Sequence, residues 1–97
     1  LAVLLLALPV SAQRFSKCNS CARDGRGRIS RSVQAKKEFM RAHPCPAPYR
    51  VWRRACPGYQ VDHRVPLACG GKDRPENMQW LTAAQHRAKS KRDASCK

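Results

Sequence analysis

Hydrophobic residues are sparse along most of this chain, and their spacing changes from one segment to the next. Residues 1–8 form a continuous apolar run that Pro9 closes. Residues 13–28 are polar and contain glycines, and the stretch CARDGRGRI reads as turn or loop. Over 30–43 the sequence SRSVQAKKEFMRAH suits one amphipathic helix. Ser30 or Ser32 offers an N-cap oxygen, Val33, Phe39 and Met40 supply an apolar stripe, and Pro44 stops the helix. His43, at that helix end, reads as a cation favoured by the helix dipole. Residues 44–58 hold four of the seven prolines, so this stretch is irregular and needs a staple.

Tyr59-Gln60-Val61-Asp62-His63 is a short β-prone run with Tyr59 and Val61 alternating. Gly70-Gly71 then breaks the chain, and Met78-Gln79-Trp80-Leu81 makes a second β-prone run. Tyr59 and Trp80 alternate on these strands as core residues. Thr82 is followed at the third position by Gln85, a capping box that opens a helix through about Asp93. The order from residue 59 is therefore strand, loop, strand, helix. With the earlier helix this predicts one small α+β domain, made of an extension at 13–57, a compact unit at 58–93 and a tail at 94–97.

The opening run changes the reading of the whole composition. Residues 1–12 contribute 10 apolar residues and leave 31 among the other 85, with only two leucines, Leu67 and Leu81. So thin a core calls for cross-links, a metal or a partner. The run itself is far short of the ~20 residues of a spanning helix, which speaks against a membrane anchor. Val10 and Ala12 fit the small-residue positions of a signal-peptidase site. Residues 1–12 thus read as a signal peptide truncated at its start, and the protein as periplasmic or secreted.

Export bears on the cysteines, because disulfides persist in an oxidising compartment. The spacing is Cys18-x2-Cys21, then Cys45, Cys56, Cys69 and Cys96. Structural zinc would want a second close pair, and ten residues separate Cys45 from Cys56. Disulfides are the expectation. Cys45–Cys56 is the first pairing to expect, with Cys69 and Cys96 sharing partners with Cys18 and Cys21, although spacing alone does not fix connectivity.

Charge narrows the partner. The chain carries 20 Lys+Arg against 6 Asp+Glu, a formal charge of +14, which points to a polyanion. Arg23, Arg26, Arg28 and Arg31 form one cluster. Arg50, Arg53 and Arg54 form another, interleaved with Tyr49 and Trp52, and Arg87, Lys89, Lys91 and Arg92 lie on the last predicted helix. These residues suit phosphate contacts, which confer affinity without sequence information. Arg26, Arg28, Arg31, Arg53, Arg54, Arg87 and Lys89 are the expected nucleic-acid contacts. The alternative for each is a solvated charged face.

Four polar residues then suggest chemistry. Asp62 and His63 end the first strand, Asn77 precedes the second, and His86 stands in the first turn of the helix. A hairpin packed on a helix can gather them. Asp62 and His86 can hold a divalent cation against a scissile phosphate. His63 can take a proton from water, since imidazole titrates nearer neutrality than other side chains. Asn77 can fix the loop or the His63 ring, and Arg64, beside the base, can grip the phosphate.

The stretch DHRVPLACGGKDRPENMQWLTAAQHRAKS resembles the motif of HNH endonucleases, which have the ββα-metal fold. The likeness runs over about residues 58–91: the DH pair, Val65-Pro66, Gly70-Gly71, Asn77, and His86 nine residues later. It is similar in particular to small exported bacterial HNH proteins, with an RDGRGRISRS-like and a PCP…CPGY segment ahead of the DH pair. PAPYRVWRRA at 46–55 departs from that pattern. The resemblance implies Asp62 and His86 as metal ligands, His63 as general base and Asn77 as the structural asparagine. It implies one divalent ion, Mg2+ first, with Mn2+, Ni2+ or Zn2+ as alternatives. The expectation is a monomeric, disulfide-stapled ββα-metal nuclease cutting DNA, and RNA as a second substrate, with little sequence specificity. Two other readings compete with it: a catalytically inactive cationic nucleic-acid-binding or antimicrobial protein, and a zinc-stabilised DNA-binding domain.

Overall fold

The structure, a computed structural model, describes residues 15–48 and 55–96. Residues 1–12, read above as a signal peptide, and the Arg50, Arg53, Arg54 cluster with Tyr49 and Trp52 lie outside these residues. Among the described residues the architecture is α+β: two α-helices, one two-stranded antiparallel sheet and three disulfides. No described helix is long and apolar enough to cross a membrane.

The first helix, α1, spans Val33–Ala42. Ser32 rather than Ser30 caps it, its hydroxyl accepting the Ala35 N–H at 3.0 Å. Ala35, Phe39 and Met40 are buried. Val33, expected in the apolar stripe, is instead 68% exposed. Its i+3 and i+4 neighbours are Lys36 and Lys37, so it stands on the basic side of the helix. At the far end the His43 N–H donates to the Phe39 carbonyl, and the His43 ring stacks on Phe39 with centroids 4.8 Å apart.

Strands β1 (Tyr59–His63) and β2 (Met78–Thr82) pair from Tyr59↔Thr82 to His63↔Met78. Directly opposed residues share a face, so Val61, His63, Met78 and Trp80 lie on one side and Asp62 and Gln79 on the other. The first side packs on α1: Ala35, Phe39, Met40 and Met78 form the core, with Val61 and Trp80 against it. The Trp80 indole N–H donates to the His43 carbonyl at 2.9 Å, tying β2 to the end of α1. The second helix, α2 (Ala83–Asp93), covers the other side, where Lys89 and His86 reach Asp62. A lone two-stranded ribbon is marginal in water, and here each face has a helix on it.

The two helices are held differently. α1 contributes the core, whereas α2 has no buried residue. Its start is set by the expected capping box: the Thr82 hydroxyl accepts the Gln85 N–H at 3.1 Å, and the Gln85 side chain accepts the Thr82 N–H at 2.9 Å. Its end is tied by the Cys69–Cys96 disulfide.

The cysteines pair as Cys18–Cys21, Cys45–Cys56 and Cys69–Cys96. The second bridge is as expected. The other two correct the expectation that Cys69 and Cys96 share partners with Cys18 and Cys21. α2 runs back across β1 and brings Cys96 to the turn at Leu67–Cys69, a proximity that spacing alone does not reveal. All six cysteines are consumed in disulfides, so none is a zinc thiolate. Three disulfides are the chemistry of an oxidising environment.

Between the strands, residues 65–77 form a tight loop closed on Asn77. The Asn77 side chain accepts the Val65 N–H at 3.0 Å and donates to the carbonyls of Val65 and Lys72 at 2.9 and 2.8 Å. Its own carbonyl accepts the Arg64 N–H. Gly71 lies under this loop, and a Cβ there would sit 1.9 Å from the Val65 carbonyl oxygen. Backbone yields less readily than a side-chain tip. Gly71→Ala is therefore expected to cost about 3 kcal/mol, the upper end of overpacking penalties. Thermal unfolding followed by circular dichroism would measure it, and an unchanged midpoint would show that the loop can open.

Candidate active site

Asp62 and His63 are adjacent on β1 and so leave the strand on opposite faces, yet both line one open groove of about 630 Å³. On the α2 side Asp62 is buried, at 8% exposure. Its Oδ2 accepts from Gln79 Nε2 at 3.0 Å, across the strand pair, and lies 3.2 Å from Lys89 Nζ. Its Oδ1 faces His86 Nε2 at 3.8 Å. On the α1 side His63 Nε2 lies 2.9 Å from Asp73 Oδ1, with the ring 13% exposed. Asp73 Oδ2 accepts the Ser32 N–H at the cap of α1.

Lys89 is the central cation of this arrangement. Expected as a phosphate contact, it is instead largely enclosed, with its side chain 12% exposed. It donates to the His63 carbonyl at 2.9 Å and pairs with both Asp62 and Asp93. Helical spacing accounts for this: His86 and Lys89 stand at i and i+3, so both side chains project from one face of α2 onto β1.

The rim of the groove is basic. Arg23, Arg28, Arg31 and Lys36 line it from the segment ahead of β1. The predicted turn around RDGRGR is well organised. Arg23 and Ile29 form a bridge, Asp24 accepts the N–H groups of Arg26 and Arg28 at 2.8 and 3.0 Å, and Gly27 adopts φ +77. The Arg23 guanidinium donates to the Gly27 carbonyl. Three of the chain's six carboxylates, Asp62, Asp73 and Asp93, thus line a groove walled by arginines and lysine.

Not every expected residue meets there. Arg64 is exposed and lines a separate, smaller cavity beside His43, Glu76 and Trp80. Asn77 fixes the loop through three hydrogen bonds and makes none to His63. Arg26 and Arg87 are exposed and do not line the groove. Arg53 and Arg54 lie outside the described residues. Sequence reasoning missed Asp73 and the interior role of Lys89. The one signal for Asp73 was its rarity, as one of six carboxylates in a chain of charge +14, set in the loop between the DH pair and Asn77.

As a metal site, Asp62 and His86 offer two donors. Two ligands of one ion, each at about 2.0–2.2 Å, can stand 3.8 Å apart. Only Oδ1 is available, because Gln79 and Lys89 take Oδ2. Among the described residues no group of three His, Cys, Asp or Glu side chains could enclose an ion. The donor set therefore fits a cation that keeps much of its water and takes substrate oxygens, and it does not fit a closed structural zinc site.

No family model matches the chain, and neither a curated protein nor a solved structure does.

Proposed function

We propose that this protein is an exported, metal-dependent HNH-type endonuclease of the ββα-metal fold that hydrolyses DNA backbone with little sequence specificity. The observation that carries this reading is the groove itself. In it the Asp62–His86 donor pair and the His63 ring stand among carboxylates, under a rim of Arg23, Arg28, Arg31 and Lys36. Carboxylates at the centre recruit a cation, and arginines around it recruit phosphate. The order β1, β2, α2 supports the resemblance seen in the residues. The three disulfides support a periplasmic or secreted location.

His63 removes a proton from the attacking water. The new phosphorus–oxygen bond forms as the bond to the leaving sugar oxygen breaks, and that oxygen takes a proton from solvent. A divalent cation held by Asp62 and His86, Mg2+ in the first place, would offset the charge on the phosphate and the leaving oxygen. Gln79 and Lys89 hold Asp62 so that Oδ1 faces His86. The rim residues grip phosphates without reading bases, so DNA and RNA are both substrates in charge terms.

The test is plasmid nicking by the oxidised protein with Mg2+ or Mn2+. EDTA should stop it, and Asp62→Ala and His86→Ala should each lower it by about a hundredfold or more. One observation favours a second reading: Lys89 Nζ already neutralises Asp62 at 3.2 Å. A cationic binder with no need of metal would bind DNA unchanged by EDTA or Asp62→Ala, and it would not nick.

A further inference from the structure

We propose that Asp73 is the positioning residue for His63, holding its ring as the Nε2–H tautomer so that Nδ1 is the atom that accepts the proton. The inference rests on the nuclease reading for its catalytic consequence, but the tautomer stands on geometry alone.

Both oxygens of Asp73 are engaged. Oδ2 accepts the Ser32 backbone N–H, and Oδ1 lies 2.9 Å from His63 Nε2. An ionised carboxylate only accepts hydrogen bonds, so the shared proton belongs to Nε2. A neutral imidazole carries one N–H, and placing it on Nε2 leaves the Nδ1 lone pair free. With 13% and 24% side-chain exposure, His63 and Asp73 are partly shielded from competing water. The loop that carries Asp73 is itself fixed, because Asn77 donates to the carbonyl of the preceding Lys72. Asn77 thus acts on the base at one remove, by fixing the loop from which Asp73 reaches the ring. Asp73 also joins the cap of α1 to the end of β1, so the rim segment and the base share one anchor.

Asp73→Asn separates positioning from folding. The Ser32 N–H still needs an acceptor, so the amide oxygen takes the Oδ2 place and the amide NH2 faces His63 Nε2. The ring must then accept at Nε2 and carry its proton on Nδ1, which removes the base atom. A tautomer inverted in this way costs on the order of 10⁴-fold in kcat where a carboxylate orients a catalytic histidine.

The experiment is 15N NMR of histidine-labelled protein, free of metal and DNA, at pH ~8, where free imidazole is neutral. With only His43, His63 and His86 to assign, the His63 signals should report Nε2–H in the wild type and Nδ1–H in Asp73→Asn. In parallel, nicking by Asp73→Asn should fall in kcat while KM for DNA stays within about twofold, and the substitution should change nothing further in a His63→Ala background. Three outcomes would overturn the assignment: an Nδ1–H wild-type ring, a tautomer unchanged in Asp73→Asn, or a full loss of kcat persisting in the His63→Ala background. If Asp73→Asn fails to fold, Asp73→Glu serves. It should keep Nε2–H, and an inverted ring there would count against the proposal. A wild type with the expected tautomer but no nicking would instead overturn the nuclease reading and leave the positioning intact.

Discussion

Replacing His63 with alanine is expected to lower plasmid nicking by roughly 10²–10⁴-fold, the usual worth of a positioned general base. DNA binding should stay within about twofold. The two effects separate because of where the groups sit. Among the described residues the His63 side chain has one hydrogen-bond partner, Asp73, whereas the groups proposed to meet phosphate, Arg23, Arg28, Arg31 and Lys36, come from a different segment. Removing the ring leaves the Asp24-centred turn intact, since none of its hydrogen bonds involves His63. Nicking rates with Mg2+, set beside gel-shift affinities at one fixed salt concentration, decide the matter. A variant that nicks as fast as the wild type would end the assignment of His63 as base. A parallel loss of affinity would make His63 a binding residue.

Opening the Cys69–Cys96 disulfide should have the second large effect. The bridge closes a loop with a sequence separation of 27. In the chain-entropy account this contributes about 3–4 kcal/mol, a major share of what so small a core supplies. The effect should also be local. α2 buries no residue, so its hold on the sheet rests on the Thr82–Gln85 cap, the Lys89 ion pairs and this bridge. The double variant Cys69→Ser with Cys96→Ser should lose helical circular dichroism first, and nicking with it, as His86 and Lys89 leave Asp62. Cys18–Cys21, with a separation of 3, closes a short loop, and its removal should cost less. If the Cys69/Cys96 variant keeps its helix signal, its melting midpoint and its nicking rate, the cap and Lys89 alone would be holding α2. A nuclease built this way would be inactive under reducing conditions and complete its site only after oxidation.

Local signals in the chain were reliable where they had a local cause. Pro44 and Ser32 bound α1 because a cap and a helix breaker act within a turn. Thr82 and Gln85 start α2 for the same reason. The strands read well because Tyr59, Val61, Met78 and Trp80 recur where a half-buried ribbon needs them. Val33 misled, because an apolar residue at a helix start says nothing about which side the core will lie on. The groove was only partly legible. Asp62, His63 and His86 could be named from their places on strand and helix, but Asp73 could not, because loop conformation depends on Asn77 bonding to backbone 5 and 12 residues away. Arg64 follows the base in sequence yet lines another cavity, as the chain turns away at the end of β1.

The sequence by itself determined the element order, the caps and the basic character of the chain, and made Cys45–Cys56 the first bridge to expect, because all of these follow from residues near one another or from composition. Only the tertiary structure decided that α1 and α2 take opposite faces of the ribbon. That placement pairs Cys69 with Cys96, draws Lys89 inward onto Asp62, and sets Asp73 against His63. The physical reason is that these contacts join residues up to 27 positions apart, whose meeting is fixed by packing on both faces of β1 and β2 and by no local preference of the chain.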